Sequence, residues 1–420
     1  MTVISTGPPG LTLILGAMLL PLFGQRARGA LILGLPLLTL AQIWLLPDGT
    51  VLRVPFLGYE LAPVDVDSLS RLFGTIFAIV TFAGGLFALN RTRVVEPVAA
   101  LVCAGSAIGI TFAGDLLTLV AFWEVLALTS TLLVWVGMSN QSYHSGMRYL
   151  AVHLLGGVVL MTGIIGHVAD TGSVMFAAMA LDSPAHWLIL AGFLLNAGAP
   201  PLSAWLPDAY PEASPTGMVF LSAFTTKTAV YVLLRGFPGA EILVFIGLYM
   251  IFYGIVYALL ENDIRRILAY SIVNQVGFMI CGVGIGTEMA LNGTAAHAFT
   301  HIIYKALLLM SAGSVLYMTG KRKCTELGGL FHSMPLTMVC GLIGALSISA
   351  FPLTSGFISK SMISQAAADE HMAAAWFLLT AGSAGVFLHA GIKFPWYIFF
   401  QKDSGLRPPD PPLNMRIAMV

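Results

Sequence analysis

Apolar residues run through this chain in blocks rather than in alternation. Stretches of roughly 20 mostly aliphatic residues, the length that crosses a hydrocarbon core, recur along it between short polar turns. On that criterion the pattern predicts helical spans near 11–23, 29–46, 68–89, 97–113, 116–137, 147–169 and 186–206. They continue near 215–236, 240–260, 266–286, 292–318, 334–366 and 372–401, which makes thirteen. The expected fold class is all-α, a polytopic membrane protein. A polar loop, QKDSGLRPPDPPLN, then leads to MRIAMV, which reads as the opening of a fourteenth span and an early stop. The N-terminus, MTVISTGPPGLTLILGAMLL, lacks a basic region and a cleavage site, so it reads as a first span rather than a signal peptide.

Composition strengthens the membrane reading. The chain is 57% hydrophobic and 10% charged, whereas a soluble domain carries about 25% charged residues. A formal net charge of zero gives no reason to expect a nucleic-acid partner. Cys103, Cys281, Cys324 and Cys340 form no CxxC pair and no metal-ligand spacing. With no nucleotide-binding loop and no nucleophile constellation either, no cofactor is expected.

Lys and Arg favour cytoplasmic loops. Taking alternate loops, one side holds Arg26, Arg28, Arg91, Arg93, Arg148, Arg265, Arg266, Lys321, Arg322, Lys323, Lys402, Arg407 and Arg416. The other holds only Arg53, Arg71 and Arg235 among many acids. Thirteen against three places the N-terminus outside a cell (inner) membrane and the 319–333 loop in the cytoplasm.

The remaining basic residues matter more. Lys227, Lys305, Lys360 and Lys393 fall inside spans, and among the acids only Glu124 lies deep in one, within LLTLVAFWEVLALTSTLLVWVG. A charge in a span costs about 2.5–3.5 kcal/mol on insertion scales and commonly marks a proton or ion pathway. Lysine, unlike arginine, loses its proton readily on burial; four span lysines and no buried arginine suggest titrating groups. Lys393, near a span end, has the alternative of snorkelling to the interface. In AAHAFTHIIYKALL, His297, His301 and Lys305 follow at i, i+4 and i+8 on one helix face. A proton wire is favoured there over a metal site, because no third ligand is near, with polar contacts between helices as the structural alternative. His153 and His167 stand alone on apolar faces and are expected to hydrogen-bond neighbours.

Two spans are interrupted: LNAGAPPLSAWLPDA, with helix breaks at Pro200 and Pro201, and SISAFPLTSGFISKS, with breaks at Pro352 and Gly356. Broken backbone at membrane depth persists when buried in protein or lining a wet cavity. Paired breaks point to a transporter built of inverted repeats. The expected organisation is N-terminal helices over 1–96, a first five-helix repeat over 97–236, a second, inverted one over 240–401, and a cytoplasmic loop with the start of a further helix over 402–420.

With these residues in view, the chain resembles the antiporter-like proton-pumping subunits shared by respiratory complex I and Mrp sodium/proton antiporters, from about residue 65 to 401. FWE at 122–124, WLPDAYPEASP at 205–215, TTKTAVY at 225–231, HAFTHIIYKALLLMSAGS at 297–314 and GFISK at 356–360 carry the likeness. NDIRRILAYSIVNQVG at 262–277 and the FPWYIFF ending look most like the D-type member of the Mrp antiporter subunits. The resemblance implies proton translocation along Glu124, Lys227, His297, His301, Lys305 and Lys360, with Na+ exchanged for protons and other membrane subunits as partners. It also implies a lysine in the first broken helix, where this chain has Asn196. That departure leaves the first half short of a cation, which Lys227 would supply by pairing with Glu124. Two other readings share these residues: a pumping subunit of an NADH:quinone oxidoreductase or membrane-bound hydrogenase, and a non-pumping scaffold.

Overall fold

The computed structural model of the protein describes residues 7–90 and 93–420. Arg91, counted on the basic side above, lies outside the described residues. Among the described residues ten helices are long and apolar enough to cross a membrane, and three shorter apolar helices accompany them. They coincide one for one with the spans expected from hydropathy.

The N-terminal part comprises α1 (Pro9–Leu19), α2 (Gln25–Leu45) and α3 (Ser68–Phe87). Between α2 and α3 the chain forms an antiparallel hairpin, β1 (Val51–Phe56) and β2 (Tyr59–Asp65), which an all-α reading does not contain. Its turn passes through Leu57 and Gly58, both at positive φ. The first repeat is α4 (Val95–Phe112), α5 (Leu116–Trp135), α6 (Asn140–Thr171), a broken helix of α7 (Pro184–Ala197) and α8 (Trp205–Ala209), and α9 (Gly217–Gly236). The second is α10 (Ile242–Leu260), α11 (Ile264–Ile285), α12 (Glu288–Thr319), a broken helix of α13 (Pro335–Ile348) and α14 (Ser355–Asp369), and α15 (Ala373–Val386). α15 runs on through wide π-helical turns at Phe387–Lys393 and Trp396–Phe400, and α16 (Leu413–Met419) follows the last loop.

Helix ends are set locally. Asp115, Ser139, Ser183 and Asp263 cap α5, α6, α7 and α11 by accepting backbone N–H bonds. Left-handed Gly172, Gly198, Gly286 and Gly320 close α6, α7, α11 and α12. The Asp115 carboxylate also accepts from the Ala62 N–H at 2.8 Å, tying the hairpin to the start of α5. α9 is buried along its whole apolar window and α11 nearly so, whereas α2 lies at the periphery.

The three bases on the sparsely basic side each meet an acid: Arg53 with Glu60, Arg71 with Asp48 and Arg235 with Asp67. On the basic side, arginines of the second repeat hold the end of the first break. Arg265 donates to the carbonyls of Pro211, Ala213 and Ser214, each at 2.8 Å, and Arg322 pairs with Glu212 at 2.9 Å and Asp263 at 2.8 Å. Arg265 corrects the expectation of no buried arginine: it is 2% exposed, tolerated because carbonyl oxygens satisfy its donors.

The second break also differs in detail. The helical path lapses between Ile348 and Ser355, where Ala350 and Leu353 take positive φ. Gly356, expected in the break, is instead in the first turn of α14. A Cβ there would meet the Ser347 carbonyl oxygen at 1.9 Å, so its role is close approach of the two half-helices.

Candidate functional site

The face predicted on α12 forms. His297, His301 and Lys305 are all buried, with the two imidazole centroids 6.1 Å apart. His297 Nδ1 hydrogen-bonds Ser359 Oγ at 2.8 Å. Its Nε2, both ring nitrogens of His301 and the Lys305 Nζ are buried without a hydrogen-bond partner among the described residues. Lys360, beside Ser359, reaches back across the break and donates to the Ile348 carbonyl at the end of α13, 2.8 Å away. Its ammonium also stands over the Phe278 ring, 4.7 Å from the centroid.

From α9, fully buried Lys227 donates to the Ser222 carbonyl at 2.8 Å and to Thr226 Oγ1 at 3.1 Å. It lies within electrostatic reach of His297, His301 and Lys305, and Lys360 within reach of both histidines. The structure thus joins Lys227, His297, His301, Lys305 and Lys360 into one set. Among the described residues none of the five has a carboxylate at ion-pair distance. Among buried bases so arranged, a second charge entering the set meets the first at low dielectric.

Glu124 stands apart from this set. It is half-buried and lies flat on α6, where a Cβ on Gly157 would be 1.9 Å from its Oε1. The pairing with Lys227 weighed from sequence does not form; the lysine is turned to acceptors on its own helix. Asn196 is buried beside Gly156, its Oδ1 lacking a partner among the described residues. Lys393 donates to the carbonyls of Ala258, Leu259 and Glu261 and so caps the end of α10.

Three further buried groups gain weight only in the structure. His153 does bond a neighbour, its Nδ1 to the Tyr149 carbonyl at 2.9 Å, but its Nε2 is buried with no partner among the described residues. His389, in the first wide turn of α15, is likewise buried with an unpartnered Nε2, within electrostatic reach of Lys305, Lys360 and Lys393. Glu96, buried in the first turn of α4, accepts hydrogen bonds from the hydroxyls of Ser214 and Thr216. Sequence reasoning misses His389 and Glu96 because a single residue in or beside an apolar run gives no periodic signal. A cavity of about 470 Å³ opens at the first break, lined by Arg148, Val152, Trp205, Asp208, Arg266 and Tyr270 among others. Arg148 closes one side through a bidentate pair with Asp208 at 2.7 and 2.9 Å. No group of three or more His, Cys, Asp or Glu placed to hold a metal ion occurs among the described residues.

Comparison with known proteins agrees with this architecture. The chain is 32% identical over 281 residues to the N-type subunit of the NADH-quinone oxidoreductase of Desulforudis audaxviator, covering 62% of this chain and 56% of that protein. It is 29% identical over 300 residues to the D-type subunit of the Na(+)/H(+) antiporter of Alkalihalophilus pseudofirmus, covering 66% of this chain and 61% of that protein. The chain therefore spans less than two thirds of the length of these curated relatives. Among solved structures, a chain of the Mrp complex from Dietzia sp. DQ12-45-1b superposes with a TM-score of 0.85 at 25% identity, over 96% of this chain and 81% of that chain. The family described as NADH:quinone oxidoreductase/Mrp antiporter, transmembrane, matches residues 113–388, which run from the start of α5 into the first wide turn of α15. This multi-pass membrane chain belongs to that family.

Proposed function

We propose that this chain is the proton-translocating subunit of a multi-subunit monovalent cation/proton antiporter, with Na+ as the exchanged cation. It sits in the cell (inner) membrane with its N-terminus outside. The observation that carries this reading is the buried set of Lys227, His297, His301, Lys305 and Lys360, which has no carboxylate partner among the described residues. Protons enter or leave on the Glu124 side and pass along the set. A bias in which member is charged drives the transfer, since one charge across 100 mV is worth about 2.3 kcal/mol. The 32% identity to an NADH-quinone oxidoreductase subunit favours a second reading, in which the same residues pump protons within a redox complex.

Two measurements test this. The complex is purified in mild detergent and its partners identified by mass spectrometry: small membrane subunits alone support the antiporter, whereas flavin- or iron–sulfur-bearing partners support the redox pump. In reconstituted vesicles, Glu124→Gln is expected to abolish Na+-driven proton movement while leaving assembly intact. Full-rate transport by that variant removes Glu124 from the path and the proposal with it.

A further inference from the structure

We propose that His153 is a proton-carrying residue of the first repeat, standing where His301 stands in the second. This rests on the proton-translocation reading above.

Register gives the first reason. α6 and α12 are each the third helix of their repeat and each 32 residues long; His153 follows Asn140 by thirteen positions, as His301 follows Glu288. Four positions further, on the same helix face, α12 carries Lys305 and α6 carries Gly157, the residue on which the Glu124 carboxylate lies. The acid packed against α6 from α5 thus takes the place that a lysine side chain fills on α12.

Hydrogen bonding gives the second reason. The Tyr149 carbonyl only accepts, so His153 Nδ1 carries the hydrogen and the neutral ring presents a lone pair at Nε2. That lone pair is buried with no donor among the described residues. Burying a ring nitrogen without a partner is destabilising, so packing alone favours a histidine with both nitrogens satisfied. An acceptor held ready for a proton has this arrangement.

The surroundings supply the route. The ring stacks on Tyr149, centroids 3.9 Å apart, and Trp205 meets it edge-on at 4.5 Å. Trp205 also lines the cavity at the break. The Tyr149 hydroxyl donates to Ser130 Oγ at 2.9 Å and lies 3.4 Å from Thr225 Oγ1, two residues before Lys227 on α9. His153 therefore stands between the helix surface holding Glu124 and the hydroxyls of Tyr149 and Thr225 that reach α9. A proton taken up at Nε2 is given up again from Nε2, because the Nδ1 hydrogen stays on the Tyr149 carbonyl, and the ring returns to neutral. Asn196, buried at the adjacent break, carries no charge that could do this.

The test uses the intact complex reconstituted in vesicles, with cation-driven proton movement read by a pH dye. His153→Phe keeps the stack on Tyr149 but removes both nitrogens; His153→Gln keeps polarity but does not titrate. Both are expected to assemble and to lose transport about tenfold or more. Adding Asn196→Lys to His153→Gln is expected to recover a large part of the rate, by returning a titratable group beside α6, where Asn196 packs against Gly156. Parental transport by His153→Gln, or a loss of transport or assembly in both variants that Asn196→Lys does not relieve, overturns the proposal. Glu124→Gln measured alongside separates the two levels. If it too transports fully, proton translocation through this chain has failed as a reading; if it is inactive while His153→Gln is not, only the role of His153 falls.

Discussion

The two broken helices meet one backbone requirement with different donors. At the first break the Leu195 carbonyl near the end of α7 accepts from the Trp205 indole at 3.0 Å; at the second, the Ile348 carbonyl ending α13 accepts from the Lys360 ammonium at 2.8 Å. A helix C-terminus carries partial negative charge, so an ammonium is stabilised there, whereas an indole satisfies the acceptor without bringing charge. The second helix of each repeat shows the reverse. α5 carries Glu124, while α11 presents buried neutral amides, Asn274 and Gln275. The first repeat thus has an acid on its second helix and no lysine at the end of its broken helix, whereas the second has neutral amides on its second helix and a lysine at the end of its broken helix.

The sharpest way to break this comparison is Lys305→Met. The ammonium has no partner to strand and methionine fills similar space, so the complex is expected to assemble, as seen on a native gel, yet lose proton transport about hundredfold. Near-normal transport would make the cation-rich half dispensable. A smaller effect is expected from Gly157→Ala, whose methyl group would collide with Glu124 Oε1 at 1.9 Å. Overpacking of this kind costs about 1–3 kcal/mol; thermal melting of the complex should register it, with a several-fold drop in transport as the carboxylate is displaced. An unchanged rate would mean the acid works from more than one position. Lys393→Gln should do least. Its side chain caps α10, and an amide can still donate to two of the three carbonyls. About 1 kcal/mol of stability and less than a twofold change in transport are expected; a loss comparable to Lys305→Met would extend the path to that lysine.

How much of this is legible in the residues depends on whether the signal is periodic. Hydropathy locates the helices, and the His297–His301–Lys305 spacing locates their shared face, because both depend only on helix geometry. The β1–β2 hairpin escapes such a reading, since six- and seven-residue strands between spans leave too short an alternation to notice. Charge alone assigns Arg265 to a solvated loop; its carbonyl partners lie more than fifty positions away in sequence. The prolines mark both broken helices, but not that Gly356 serves the approach of α14 to Ser347 rather than the break itself. Nor can sequence tell His153 from a satisfied core histidine, because the difference lies in what faces a single ring nitrogen.

The grip of Arg265 and Arg322 on residues 211–214 has a mechanical consequence. By chain order that segment closes the first broken helix, yet by attachment it travels with α11 and the loop after α12. The interruption is therefore anchored at its far end to the opposite half of the molecule, and its non-helical part is the stretch between Ala197 and Trp205. A displacement of the second repeat would be delivered to that stretch as torque, beside the very turn that holds Asn196.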